Sequence, residues 1–250
     1  MANNKIYFAS DLHLGSDVYE NPIETEKRFV RWLDSIKNEA SALYLLGDIF
    51  DFWFEYKKVV PRGFSRFFGK IAELSDSGIE IHFFTGNHDI WMYDYFPKEL
   101  GVIVHREPVI VDLNGKKFYL AHGDGLGDES RSFKIIRTVF RNRLCQFLFA
   151  SLPTNWGVGF AHRWSRHNRK KHSIEASPYF GEDKEHLVLY AKQYLQTDPS
   201  IDFFVFGHRH IMLDLQLNPK SRIVVLGDWM LQYSYALLDG QEMSLEIFED

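Results

Sequence analysis

The 250-residue chain is 45% apolar and 25% charged, with a formal net charge of −5, which places it among ordinary globular proteins of one or two domains. The negative balance argues against generic nucleic-acid binding, which needs a basic face, and the single cysteine, Cys145, excludes an intramolecular disulfide and fits a reducing compartment. No charged-then-apolar leader precedes the first apolar run and no apolar stretch approaches the ~18 residues of a membrane span, so a cytoplasmic protein is expected.

In chain order, Lys5 to Ser10 (KIYFAS) reads as a first buried strand. Glu24 to Asn38, with Phe29, Trp32, Leu33 and Ile36, has helical spacing, and Ala42 to Leu46 is a second strand. Asp51, Phe52 and Trp53 read as a helix start that packs aromatic rings into the core. Phe64 to Ser77 repeats the helical pattern, with Gly78 where a C-terminal capping glycine belongs, and Glu80 to Thr85 is a third strand. This alternation predicts parallel pairing with right-handed crossovers. Ile103 to Ala121 reads as two strands joined at Asn114-Gly115, an Asn-Gly hairpin signal. Arg131 to Ser151 and Asn155 to His172 are expected as two helices separated by Pro153, with Cys145 a small buried hydrophobe among LCQFLF. Glu182 to Gln196 is a third helix of this half. Phe203 to Phe206, Ile223 to Leu226, Tyr233 to Leu238 and Ser244 to Phe248 complete the strands.

Five of these apolar runs end on metal-ligand chemistry: Asp11-Leu12-His13, Gly47-Asp48, Gly86-Asn87-His88-Asp89, His122-Gly123-Asp124 and Gly207-His208-Arg209-His210. Ligands just beyond strands lie on the carboxyl edge of a sheet, where α/β folds place their sites, and the glycines allow tight turns and close approach. Singly, each segment is more simply a cap, a turn or a core histidine. Five coincidences of ligand type, strand end and glycine are not. Carboxylate, imidazole and amide without thiolate suit Mn, Fe, Zn or Mg in a hydrolytic site rather than a structural zinc. Seven such groups are too many for one ion and about right for two. Asp48 is the natural bridge between them, and in Gly-His-x-His alternate residues of extended chain would share a face. Two ions ~3.5–4 Å apart can activate a water and clamp phosphoryl oxygens in an in-line displacement.

The order D-x-H, GD, GNH[DE], HGD, GHxH resembles the calcineurin-like metallophosphoesterase superfamily from Asp11 to His210, and DLHLG, GDIFDFW, GNHDIW and AHGDGLG look like the UDP-2,3-diacylglucosamine hydrolases of lipid A synthesis. The resemblance implies a single α/β domain over residues 1–250: a four-layer αββα sandwich of two mixed sheets, with residues 127–175 a helical cap inserted over the active site. It implies that Asp11, His13, Asp48 and His210 hold one ion and Asp48, Asn87, His122 and His208 the other, with Mn²⁺ the first choice among divalent metals. His88 would stabilise the transition state or protonate the leaving oxygen, tasks that suit an imidazole; many of these hydrolases carry Arg there. Asp89 would hold the His88 ring, and Asp124 would orient a ligand imidazole or touch substrate. Arg163, Ser165, Asn168 and Lys171 resemble a run that grips the glucosamine phosphate in relatives.

The implied reaction is hydrolysis of the pyrophosphate of UDP-2,3-diacylglucosamine to UMP and 2,3-diacylglucosamine 1-phosphate. The alternatives are another nucleotide-sugar pyrophosphatase, a phosphodiesterase, or a non-catalytic scaffold of the same fold; a scaffold would be expected to lose ligands, and here every ligand position is filled. Gly127 to Glu175 carries ten Lys or Arg against three acids, a balance of +7, so the rest of the chain carries −12. Interleaved with Phe133, Phe140, Phe147, Phe149, Trp156, Phe160 and Trp164, these cations predict either phosphate binding within the lid or peripheral association with an anionic membrane at its cytoplasmic face.

Overall fold

A computed structural model describes residues 5–16, 21–127, 131–171 and 178–250, and leaves the side chains of 131–134, 162 and 164–171 undescribed. The elements in chain order are β1 (Lys5–Ala9), α1 (Pro22–Ile36), β2 (Ala40–Leu45), α2 (Ser65–Asp76), β3 (Glu80–Phe84), α3 (Tyr95–Leu100), β4 (Ile103–His105), β5 (Val109–Leu113) and β6 (Lys116–Ala121). There follow α4 (Arg131–Arg141), α5 (Arg143–Ala150), α6 (Thr154–Lys171), α7 (His186–Thr197), β7 (Phe203–Phe206), β8 (Met212–Gln216), β9 (Arg222–Leu226), β10 (Ser234–Asp239) and β11 (Glu242–Ile247).

Two mixed sheets result. The first runs β11-β10-β1-β2-β3-β4 and the second β5-β6-β7-β9-β8. Strands β1 to β4 pair in parallel, as do β6, β7 and β9, while β5, β8, β10 and β11 pair antiparallel to their neighbours. Side-chain alternation divides each central strand between two interiors. On β1 and β2, Ile6, Phe8, Ala42 and Tyr44 face Phe118, Leu120, Phe203, Val205 and Val224 of the other sheet. Tyr7, Ala9, Leu43 and Leu45 face Phe29, Trp32 and Leu33 of α1 and Phe67 and Ile71 of α2. The second sheet turns Tyr119, Phe204, Phe206 and Ile223 toward Leu187, Val188 and Ala191 of α7. The layers are therefore αββα. Among the described residues no helix is long and apolar enough to cross a membrane.

Several elements depart from the sequence reading. Ile103 to Ala121 forms three strands, because Arg106–Glu107–Pro108 breaks the first run and Pro108 lacks the N–H a ladder needs. The short β4 joins the first sheet and the β5–β6 hairpin the second. Arg131 to Ser151 is two helices, since the Asn142 side chain accepts hydrogen bonds from the backbone N–H groups of Leu144 and Cys145 and starts α5 afresh. Cys145 is only half-buried, on a helix without a buried residue. Asp51 to Trp53 is an irregular, buried segment rather than a helix start. Strand β8 and helix α3 were not expected; β8 is a five-residue edge strand whose alternation (MLDLQ) is too short to stand out.

Candidate active site

All five ligand-bearing segments leave the carboxyl ends of parallel strands, from β1, β2 and β3 of one sheet and from β6 and β7 of the other. Backbone hydrogen bonds lace them together: Asp11 N to Gly47 O (3.1 Å), His13 N to Asp48 O (3.0 Å) and Gly207 N to His122 O (2.9 Å). At Gly86 a Cβ would lie 2.2 Å from Asp48 Oδ1, and at Gly47, where φ is +88°, it would lie 2.7 Å from His122 Nδ1. Only glycine lets these loops touch.

The backbone at the site is unusual for its residue types. Asp11, His13, Asp48, His208 and His210 all have left-handed φ, between 47° and 68°. Such conformations cost on the order of 1–3 kcal/mol each and persist where surrounding structure holds them. The Gly-His-x-His segment is consequently a bend, not extended chain, and its histidines diverge.

The side chains gather into groups. Asp11, His13 and His210 place one potential ligand atom each within 4.8 Å of one another, as do Asp48, His122 and His208. His13 Nε2 and His210 Nε2 lie 3.8 and 3.5 Å from Asp11 Oδ1. Asp48 Oδ2 is 3.3 Å from His122 Nε2 and 3.9 Å from His13 Nε2, so one carboxylate oxygen faces both groups. The other, Oδ1, accepts the backbone N–H of His88 at 2.9 Å. Asp11 Oδ2 likewise accepts from His208 N at 2.8 Å.

What remains is a set of buried polar atoms without a hydrogen-bond partner among the described residues: Asp11 Oδ1, Asn87 Oδ1 and His122 Nε2. Orphaned buried groups of this kind are costly and call for a bound ion or water. All three atoms are ligand types and lie in or beside the two side-chain groups, so the residues fit a divalent metal pair. The electrostatics agree. Burial alone would push the Asp48 carboxyl up, yet the His122, His88 and His13 imidazoles outweigh it and hold it well below the usual range. Burial likewise opposes charge on His122, but the Asp48 carboxylate raises it well above an ordinary imidazole. His208 is driven down, first by burial and then by His122.

The neighbouring groups are placed differently from expectation. His88 Nδ1 donates to the Asp51 carbonyl (2.8 Å), not to Asp89. Asp89 accepts from the backbone N–H groups of Ile49 (2.8 Å) and Gly86 (2.7 Å), tying together the loops that carry Asp48 and Asn87. Its burial, with the Asp48 charge, pushes it up to about 7. The Leu46 carbonyl, not Asp124, sits at His122 Nδ1 (2.8 Å), and Asp124 lies 3.9 Å from Arg137 of α4. Arg163 is exposed on α6, while the side chains of Ser165, Asn168 and Lys171 lie outside the described residues.

Two groups escaped the sequence reading. The Asp51 carboxylate clusters with His13 and His88. Asp228, 3.6 Å from His210 Nδ1, follows β9, which leads into Gly-Asp (VVLGD), the signal that marked Asp48.

The sequence profile of the calcineurin-like phosphoesterases matches residues 4–212. The chain belongs to that family. Its members use a dinuclear divalent metal centre. A protein of Porphyromonas gingivalis named UDP-2,3-diacylglucosamine hydrolase is 46% identical, the alignment covering 99% of this chain and 98% of that protein. Proteins of the same name from Ectopseudomonas mendocina and Neisseria meningitidis are each 29% identical, over 98% of both chains and 94% of both chains respectively.

Proposed function

We propose that this chain hydrolyses the pyrophosphate of UDP-2,3-diacylglucosamine, releasing UMP and 2,3-diacylglucosamine 1-phosphate in lipid A biosynthesis. The observation that carries this reading is the full-length similarity, 46% identity, to a protein of that name. A filled set of ion ligands argues for an enzyme rather than a scaffold. In this reading Asp11, His13, Asp48 and His210 hold one ion and Asp48, Asn87, His122 and His208 the other, with Mn²⁺ preferred and Fe, Zn or Mg admissible. The bound pair would supply an activated water and charge neutralisation at phosphorus.

The chain's own groups do the rest. His88 is fixed through Nδ1 by the Asp51 carbonyl, which leaves Nε2 free to support a phosphoryl oxygen or to hand a proton to the leaving oxygen. Residues 127–175 act as the cap, with Asp124, Arg163, Ser165, Asn168 and Lys171 contributing to substrate recognition. Support for that role comes from the helices' described residues, which dock on the body of the protein along one side. Phe140, Phe149, Val158 and Ala161 pack on Phe52, Phe54 and Trp91, and Trp91 Nε1 donates to the Phe140 carbonyl at 2.7 Å. Leu144, Phe147, Leu148, Trp156 and Phe160 remain more than half exposed. Two acyl chains would use such a surface at roughly 0.8 kcal/mol per buried methylene; a water-soluble nucleotide would not. The same basic and apolar segment supports peripheral attachment to the cytoplasmic face of an anionic membrane.

The test compares the acylated UDP-sugar with its deacylated form under Mn²⁺ loading. Strong preference for the acylated substrate is expected; equal rates would leave only a general pyrophosphatase. Sedimentation with anionic and neutral vesicles at low and high salt checks the membrane contact, which salt should weaken.

A further inference from the structure

The turn that follows β9 touches two ligands of the same ion group. Trp229 N donates to the Asp11 carbonyl at 3.1 Å, and Gln232 Nε2 donates to the His210 carbonyl at 2.9 Å. Between them sits Asp228, only 2% exposed. Its Oδ1 accepts the backbone N–H groups of Met230 (2.9 Å), Leu231 (2.7 Å) and Gln232 (3.2 Å), which fixes the plane of the carboxylate. Its Oδ2 faces His210 Nδ1 at 3.6 Å. The opposite ring nitrogen, Nε2, faces Asp11 Oδ1 at 3.5 Å. The turn is itself held rigidly. The Trp229 ring is buried against Phe29 and Trp32 of α1, at centroid distances of 4.8 and 5.0 Å.

We infer that Asp228 is a positioning residue for the ion held by Asp11, His13 and His210, acting through His210 rather than on the ion itself. A carboxylate facing Nδ1 keeps the proton on that nitrogen, turns the lone pair of Nε2 toward Asp11, and makes the imidazole a stronger donor. Loss of such an outer partner typically weakens metal affinity about 10–100-fold. No contact of the turn described above reaches Asp48, Asn87, His122 or His208, so the effect is confined to one of the two ions. The inference rests on the two-ion reading of the site.

The experiment titrates the metal-free protein with Mn²⁺ alone and follows bound ion by electron paramagnetic resonance and equilibrium dialysis, without substrate. Asp228→Asn keeps an oxygen for the three backbone donors but removes the charge. It is expected to weaken one of the two Mn²⁺ equivalents about 10–100-fold, leave the other unchanged, and replace the spin-coupled signal of the pair by that of a single ion at intermediate loading. In a His210→Ala background the same change is expected to have no further effect, because the group it acts through is gone. Two wild-type affinities in Asp228→Asn, equal weakening of both ions, or a full additional loss in the His210→Ala background would each overturn the inference. Gln232→Leu, which loosens His210 from its backbone side and leaves Asp228 in place, provides a second route. It should weaken the same single ion, and wild-type affinity for both ions in this variant counts against the turn's role. A wild-type protein that takes up no Mn²⁺ would instead overturn the two-ion reading itself.

Discussion

Replacing Gly86 by alanine tests how closely the site depends on backbone contact. The new Cβ would lie 2.2 Å from Asp48 Oδ1 and 2.6 Å from Asp48 N, against an ordinary contact of 3.4 Å. Asp48, the loop carrying Gly86, or both must therefore separate by about 1.2 Å, the difference between those distances. That movement breaks the 2.9 Å hydrogen bond from His88 N to the same oxygen and displaces the carboxylate that faces both ion groups. A misplacement of about 1 Å costs on the order of 10²-fold in rate, or about 2.7 kcal/mol, and overpacking adds about 1–3 kcal/mol of lost stability. Gly69→Ala is the control, since nothing lies within 4 Å of its added methyl in α2; it should leave activity intact and raise stability by up to about 1 kcal/mol. The assay is kcat/KM on the acylated UDP-sugar together with bound metal per chain. Gly86→Ala retaining two equivalents and a rate within threefold of wild type would refute the argument that these loops are in enforced contact.

Three further outcomes are expected. His88→Ala should keep both ions and lose about 10²–10⁴-fold in turnover; an unchanged rate across the pH range removes its catalytic role. Because the Asp48 charge holds His122 well above the ordinary imidazole range, metal loading near pH 7 should release a proton, and metal affinity should fall as pH drops. Calorimetric titration in two buffers of different ionisation enthalpy measures the proton, and identical heats after buffer correction for zero protons exclude it. Away from the site, burial and then His82 push His105 down from 6.5 to about 4, so the folded chain binds its proton less tightly than the unfolded one. That contribution is complete above about pH 6.5 and is lost as pH falls from there through about 4, amounting to about 1–2 kcal/mol after discounting for solvent screening of a half-buried ring. His105→Gln should flatten the melting-temperature profile over that interval, and an unaltered slope disproves the assignment.

The ligand-bearing strand ends were legible because parallel strands buried on both faces are written as unbroken apolar runs, such as Phe203 to Phe206, and glycine then marks where the chain turns. Chemistry of residue type did the rest at Asp11, Asp48 and His122. Left-handed backbone at Asp11, His13 and His208 left no trace, since Asp and His carry no signature for it comparable to glycine. The partner expected for the His88 ring, Asp89, was wrong, and that of His122 could not be read, because both rings meet main-chain carbonyls, Asp51 O and Leu46 O, and every residue type supplies one. Asp228 was missed although its Gly-Asp context matched Asp48, because nothing local tells which Gly-Asp faces an imidazole.

The distribution of ligands between the sheets has a mechanical consequence. Asp11, His13, Asp48 and Asn87 hang from one sheet, His122, His208 and His210 from the other, so each ion group straddles the seam of the sandwich. Elsewhere the layers meet through aliphatic contacts and slipped aromatic stacks such as Phe8 on Phe118, which resist separation better than sliding. An ion bound across the seam would act as a rivet. It would add stability that grows with ion activity, about 2.7 kcal/mol when free ion stands at a hundred times its dissociation constant, and would concentrate that gain against shear. Starved of metal, the protein would lose its catalyst and its cross-brace together, making metal supply a control on how long the folded chain survives as well as on how fast it works.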